Sequence, residues 1–165
     1  MSDVTGVVSV SKRIEAPADR IFAVIADPDR HTELDGSGML RGAEGAKPIT
    51  GVGDRFLMQM YFDPLGGDYK MDNHVVEFEP NRRIAWAPAG ADSASTQGDE
   101  FTIGVPAGHR WVFALEPDGP DATVVTQTYD CTAAPASLRE AVGDGAIWVE
   151  AMNGTLDRLA EVCAD

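Results

Sequence analysis

Near Pro135 the spacing of the apolar residues changes from the period of a β-strand to that of an α-helix. Upstream, segments such as residues 54–62 and 109–116 alternate apolar and polar side chains, as half-buried strands do. Downstream, apolar residues recur at helical steps of three and four: Leu138, Val142, Trp148 or Val149, Met152, Leu156, Leu159 and Cys163. The pattern predicts one long amphipathic helix over residues 135–165, which Gly143-Asp144-Gly145 would disturb.

The N-terminal third predicts one strand and two short helices before a loop. Residues 7–15 are rich in β-branched types and alternate loosely, which indicates a strand. Residues 19–26 have a helical pattern, and a second short helix is expected over residues 29–34. Residues 36–53 are rich in glycine and predict a loop, with at most a weak strand near residues 47–50.

From residue 54 onward the chain predicts antiparallel strands joined by tight turns. They are expected over residues 54–62, 69–79, 84–87, 109–116 and 122–131. Residues 88–108 resist assignment, and Phe101-Thr102-Ile103 within them would form a short strand or the tip of a lid. Strands in hairpin succession, with helices at both ends, predict an α+β fold whose sheet is covered by the C-terminal helix. A ligand cavity is expected between the two.

The charge balance excludes one class of partner. The chain has 27 Asp and Glu against 13 Lys and Arg, a net charge of −14, so nucleic acid is not expected to bind. No apolar run approaches the ~20 residues needed to span a bilayer, so stable membrane insertion is not expected. The absence of a visible secretory signal and the distant Cys131 and Cys163 favour the cytoplasm. The length favours a single domain over residues 1–165. Either a monomer or a homodimer is expected.

Three segments carry a resemblance to a known superfamily. Residues 14–31 (IEAPADRIFAVIADPDRH) resemble the first strand, entry turn and first helix of the START-like, or Bet v 1-like, helix-grip proteins (SRPBCC). Residues 51–56 (GVGDRF) and 76–86 (VEFEPNRRIAW) resemble a strand entry and the central hairpin of that superfamily's polyketide cyclase/dehydrase and lipid-transport branch. The resemblance implies a curved antiparallel sheet wrapped around a long C-terminal helix, with an internal hydrophobic cavity. Leu34 departs from the aromatic residue that many members carry there.

Eight apolar side chains are the predicted walls of that cavity. They are Met58, Met60, Phe62, Trp86, Trp111, Phe113, Trp148 and Met152. Tryptophan and methionine present polarizable, adaptable surfaces that suit an aromatic or lipid-like guest. The alternative is that these side chains are ordinary core.

The candidate catalytic residues are His74, Asp72 and Tyr129. If strand parity holds through Phe78, His74 and Asp72 face the concave side, where the imidazole would act as general acid or base. A one-residue slip or a bulge would instead turn both outward. The facing of Tyr129 and Gln127 stays open. His109 is expected to be a solvated loop residue, and His31 to be structural or exposed. The spacing of the histidines fits no local metal motif, so neither metal nor cofactor is expected.

Two functions of different class follow. The first is binding, with or without transport, of a small hydrophobic molecule such as a lipid, a polyketide or an aromatic metabolite. The second is a polyketide cyclase/aromatase-like enzyme that uses polar groups of the cavity for aldol closure and dehydration. Because the motifs mark turns and core rather than chemistry, binding is the favoured hypothesis.

Overall fold

The computed structural model describes residues 6–45, 47–63, 66–92 and 102–164. The first half contains β1 (Val7–Ile14), α1 (Ala18–Ile25), a 3-10 turn (Pro28–Arg30), α2 (His31–Leu34), β2 (Leu40–Glu44), β3 (Arg55–Phe62) and β4 (Gly67–Glu79). The second half contains β5 (Arg83–Gly90), β6 (Arg110–Pro117), β7 (Thr123–Asp130), α3 (Ala136–Ala141), a 3-10 segment (Gly143–Trp148) and α4 (Val149–Cys163).

The strands form one antiparallel sheet in the order β1-β7-β6-β5-β4-β3-β2. Every strand from β2 to β7 pairs with its neighbour in sequence, and β1 closes the order by pairing with β7. Helix α4 packs its apolar stripe of Met152, Leu156, Leu159 and Cys163 into the core. This arrangement confirms the α+β prediction of a curved sheet covered by a long C-terminal helix.

A β-bulge in β4 decides which side chains of that strand face inward. Val75 pairs with Trp86, but Glu77 pairs with the next residue of β5, Ala85, so one extra residue lies in β4 at this point. The extra residue reverses the alternation, so the inward positions before the bulge are Met71, Asn73 and Val75. Parity carried back from Phe78 therefore gives the wrong face for residues 72 and 74.

The predicted C-terminal helix is interrupted at the place that the sequence indicated. Asp144 and Gly145 have φ values of 54° and 99°, which end the helical path between α3 and α4. A Cβ at Gly145 would lie 2.9 Å from the ring of Tyr129, so only glycine lets the backbone approach this close. The interruption turns Trp148 toward the sheet, where it packs 6.2 Å from Tyr129 between ring centroids.

Two expectations for the loops need correction. The weak strand predicted near residues 47–50 lies instead at β2, where Gly42 (φ 150°) sits at a register shift against β3. Backbone pairing, and not an alternating pattern, makes this edge strand. In the unassigned stretch 88–108, residues 88–90 continue β5, and Ala89 forms a bridge with Pro106. Thr102 and Ile103 lie outside any strand, whereas Phe101 is outside the described residues.

Across the residues described here, no helix is both long and apolar enough to cross a membrane.

Candidate functional site

A cavity of about 540 Å³ lies between the concave face of the sheet and the helices. All eight side chains proposed as its walls line it: Met58, Met60, Phe62, Trp86, Trp111, Phe113, Trp148 and Met152. The strands β3, β5 and β6 supply six of them, since the inward positions of those strands are apolar, and the start of α4 with its preceding turn supplies the other two. Whether they bind a ligand stays a prediction.

The aromatic side chains form two adjoining groups along the wall. Trp86 is the centre of the first, with its ring centroid 5.2 Å from His31, 5.4 Å from Phe56 and 5.9 Å from Phe113. Trp111 is the centre of the second, 4.6 Å from Tyr129 and 6.2 Å from Trp148. Together they present a nearly continuous aromatic surface to any guest.

His31 is buried in the cavity wall, so its exposed alternative is wrong. Its Nε2–H donates a hydrogen bond of 2.7 Å to the carbonyl oxygen of Ile25, and its ring stacks on Trp86. Burial lowers the pKa of His31 despite this hydrogen bond, so the ring is held neutral. Its role is structural, because it ties the end of α1 to the aromatic wall.

His109 also lies in the wall, which corrects the expectation of a solvated loop residue. It immediately precedes β6 and continues the inward series of Trp111 and Phe113. Its Nδ1 is buried and has no hydrogen-bond partner among the described residues. Burial lowers the pKa of His109 to about 4, so the ring is neutral at pH 7. The missed signal was the period of two within the predicted strand 109–116, which puts His109 on the same face as Trp111 and Phe113.

Gln127 and Tyr129 both face inward from β7. The sequence left their direction open, and the register settles it, since Gln127 pairs with Phe113 and Tyr129 with Trp111. The Gln127 Oε1 is buried with no partner in the described chain. Burial raises the pKa of the Tyr129 hydroxyl, although the neighbouring Trp148 indole opposes part of the shift. Asn73, which the sequence did not single out, lines the cavity and donates from Nδ2 to the carbonyl oxygen of Phe56 at 3.4 Å.

Asp72 and His74 do not line the cavity. Both lie on the opposite face of β4, where Asp72 forms an ion pair with Arg55 and its Oδ2 lies 3.6 Å from the Nε2 of His74. The bulge at Val75 and Glu77 is the physical reason, because it reverses the parity from which their inward facing was predicted. Of the three candidate catalytic residues, only Tyr129 reaches the cavity.

A second hollow of about 490 Å³ adjoins the cavity on the side of the 36–39 loop. The two spaces share the lining residues Ser37, Met39, Phe62, Ile147, Trp148 and Ala151. Ile147 is 50% exposed, so the shared region reaches the surface and forms a mouth. Gly36 shapes its rim, because a Cβ there would lie 2.3 Å from the carbonyl oxygen of Ala151.

The cavity offers almost no charge to a guest. Within the described residues, the lining contains neither lysine nor arginine. Its one carboxylate, Asp35, already accepts hydrogen bonds from Ser37 and from the backbone N–H of Leu40. Among the described residues, no group of three or more His, Cys, Asp or Glu side chains is placed so that it could hold a metal ion.

Fold and cavity together define a helix-grip protein: a curved antiparallel sheet that closes on a long C-terminal helix around an internal apolar space. The sequence model of the family described as polyketide cyclase / dehydrase and lipid transport matches residues 5–164. The chain therefore belongs to this family, which confirms the resemblance carried by residues 14–31, 51–56 and 76–86.

Solved structures with the same fold are distant in sequence. A protein from Arthrobacter aurescens superposes with a TM-score of 0.70 at 16% identity, over 96% of this chain and 86% of that one. Protein CV1439 from Chromobacterium violaceum gives 0.67 at 17% identity, over 97% and 99% of the two chains. A START superfamily protein from Mycobacterium smegmatis gives 0.60 at 16% identity, over 94% and 98%.

The curated sequence relatives are more similar to this chain than the solved structures described above, but they are longer proteins. The uncharacterized protein Rv0088 of Mycobacterium tuberculosis is 36% identical over 131 residues, which are 79% of this chain. The uncharacterized protein MT0096 of another strain is 35% identical over the same length. The chain spans about half the length of these curated relatives.

Proposed function

We propose that this protein binds a small hydrophobic molecule, of the lipid, polyketide or aromatic-metabolite class, in its internal cavity. The observation that carries the proposal is an apolar space of about 540 Å³ inside the fold, walled by aromatic and methionine side chains. Its volume lies in the range of sites that enclose small molecules. A well-packed core has few voids larger than a water molecule, so a space of this size is not a packing defect.

The mouth beside the 36–39 loop supports the same proposal, because a guest needs a route to the cavity. Ala151 on α4 lines both the cavity and the outer hollow, so a larger side chain there would obstruct the route. The proposal includes a cytoplasmic setting, which the unpaired, buried Cys131 and Cys163 favour. Occurrence as monomer or homodimer is part of the proposal too.

The test combines native mass spectrometry of the freshly purified protein with titration of the neutral fluorophore N-phenyl-1-naphthylamine. We expect co-purified small molecules and saturable fluorescence enhancement. Ala151→Phe is expected to weaken fluorophore binding about tenfold, because the new ring occupies the route. Glu161→Phe is the matched control, since it adds the same ring to an exposed position of α4. Absence of both co-purified molecules and saturable binding would refute the proposal.

A polyketide cyclase-like enzyme is the second candidate. It is favoured by the neutral imidazole of His109 beside Tyr129, with ring centroids 5.8 Å apart inside the cavity. Such a pair would exchange protons with a carbonyl substrate during aldol closure and dehydration. Its pKa of about 4 makes His109 a weak base at neutral pH, which is why binding is placed first. The test is turnover of a poly-β-ketone thioester mimic by the wild type and by His109→Phe; equal, background-level rates would exclude this candidate.

A further inference from the structure

Three polar atoms of the cavity wall are buried and have no hydrogen-bond partner in the described residues: Nδ1 of His109, Oε1 of Gln127 and Nε1 of Trp148. Burial raises the pKa of the neighbouring Tyr129 hydroxyl, and the indole of Trp148 already acts on that hydroxyl by opposing the rise. Leaving a buried polar atom unsatisfied destabilises the folded state, so native proteins rarely retain such an atom without a function. The atoms of His109 and Gln127 therefore indicate where a guest supplies the missing hydrogen bonds.

The two atoms belong to side chains at separate points along the same wall. Gln127 lies opposite Phe113 on β6, whereas His109 lies four residues before Phe113 along the same chain segment. At the rise of an extended strand, four residues span roughly 13 Å. Between them lies the contact of Trp111 with Tyr129, whose ring centroids are 4.6 Å apart. The wall thus offers a polar position, an aromatic surface and a second polar position.

The charge of the site selects against anions. The described lining contains no lysine or arginine that would neutralise a carboxylate or phosphate. The net charge of −14 adds long-range repulsion of the same sign. An anionic headgroup placed in the cavity would therefore lose its hydration without gaining a counter-charge.

We propose that the guest is an uncharged aromatic molecule with a hydroxyl group at each end, one bound by His109 and the other by Gln127. Its ring system lies against Trp111 and Tyr129. A hydroxyl suits both positions because it donates and accepts, so it satisfies either tautomer of the imidazole and either end of the amide. The inference rests on the proposed binding function and narrows its ligand class.

Equilibrium dialysis at pH 7 with four two-ring probes tests the inference on the wild-type protein. The probes are 2,6-dihydroxynaphthalene, 2,6-dimethoxynaphthalene, naphthalene and naphthalene-2,6-dicarboxylate. We expect the diol to bind at least tenfold more tightly than naphthalene, because it restores two hydrogen bonds. The dimethyl ether, which only accepts, should fall well below the diol, and the dicarboxylate should bind more weakly than naphthalene.

Two variants assign the hydroxyl groups to their partners. Gln127→Leu and His109→Phe retain the volume of the side chain and remove the unpartnered atom. Each is expected to weaken diol binding about five- to tenfold and to leave naphthalene binding within twofold. His74→Phe is the matched control, since it makes the same change on the opposite face of the sheet. This variant should change neither diol binding nor naphthalene binding.

The outcomes separate the inference from the proposed function. If naphthalene and the fluorophore bind but the diol gains nothing, or the dicarboxylate is preferred, the inference is wrong and the binding function stands. If no probe binds, including the fluorophore, both are wrong. Because the probe series needs only the wild-type protein, the inference stays testable should a variant fail to fold.

Discussion

The two faces of the sheet treat their polar side chains differently. On the outer face, polar groups satisfy each other across neighbouring strands, as in the 2.7 Å hydrogen bonds of Ser9 with Thr128 and of Ser11 with Thr126. On the inner face, atoms of His109, Gln127 and Trp148 are buried without hydrogen-bond partners in the described residues. The outer face also holds such an atom, Nε2 of His74, but it lies 3.6 Å from the carboxylate of Asp72. The unpartnered atoms of the inner face instead border a cavity in which a guest can supply the missing partners.

The contrast separates a structural surface from a functional one. The ion pair of Arg55 with Asp72 lies on a partly solvent-exposed surface, and ion pairs of this kind contribute little to stability. An unsatisfied buried atom has a larger effect on stability, in the opposite direction. Site candidates are therefore better sought among unpartnered inward atoms than among close pairs of charged residues.

The largest expected difference between the faces is the loss of stability when an apolar side chain is truncated to alanine. Ile84 is fully buried on β5, whereas Val76 on β4 is 39% exposed. Ile84→Ala should lower the free energy of unfolding by about 2–5 kcal/mol, because it leaves a cavity in the core. Val76→Ala should lower it by less than about 1 kcal/mol. Urea denaturation of both variants measures the difference, and similar losses would contradict the assignment of faces.

The pH dependence of stability is the next largest effect. Burial lowers the pKa of His109 from 6.5 to about 4, so between these values the unfolded chain binds a proton that the folded chain does not. The contribution of the neutral His109 to the free energy of unfolding is complete above pH 6.5 and is lost as the pH falls toward 4. At 1.36 kcal/mol per pKa unit, it amounts to up to about 3 kcal/mol.

His31, whose pKa burial also lowers, acts in the same direction. Urea denaturation from pH 4 to 8 should therefore show a decline in the wild type below pH 6.5. The decline should be smaller, though still present, in His109→Phe. An unchanged decline in that variant would place the imidazole of His109 in water.

A smaller effect on the free energy of unfolding is expected when a polar side chain is replaced by an apolar one. The sign of this effect differs between the two faces. Gln127→Leu removes an unsatisfied inner amide and should raise the free energy of unfolding of the ligand-free protein by about 1 kcal/mol. Thr126→Val removes the outer hydrogen bond to Ser11 and should lower it by up to about 1 kcal/mol. Thermal denaturation of the two variants checks the signs. A loss in Gln127→Leu would mean that its amide is already satisfied.

The smallest effect is expected from the outer ion pair. Asp72→Asn should lower the free energy of unfolding by less than about 1 kcal/mol, because the Arg55 guanidinium is exposed to water and the amide oxygen of asparagine can still accept its hydrogen bond. It should leave fluorophore affinity unchanged, since Asp72 lies outside the cavity. A change in affinity or in turnover would bring Asp72 and His74 back as functional residues.

The sequence predicted most of the fold because its signals were local and strong. Alternation in β3 and β6, the change of period at Pro135 and the break at Gly143-Asp144-Gly145 each depend on neighbouring residues alone. Strand β2 was misplaced, since an edge strand with glycine at a register shift carries no alternating pattern. Six of the eight apolar wall positions followed from alternation along the strands, and Trp148 and Met152 followed from the helical spacing of the C-terminal segment.

The polar part of the site required tertiary structure. A single bulge in β4 moved Asp72 and His74 to the outer face, and no pattern in residues 75–77 announces it. His109 and Gln127 gained their importance only from burial without a partner, which is a property of the assembled cavity. Periodicity along the chain thus determined the sheet, the helix and the apolar wall. Which polar atoms face the cavity depended on register and packing between segments distant in sequence, and only the folded structure decided it.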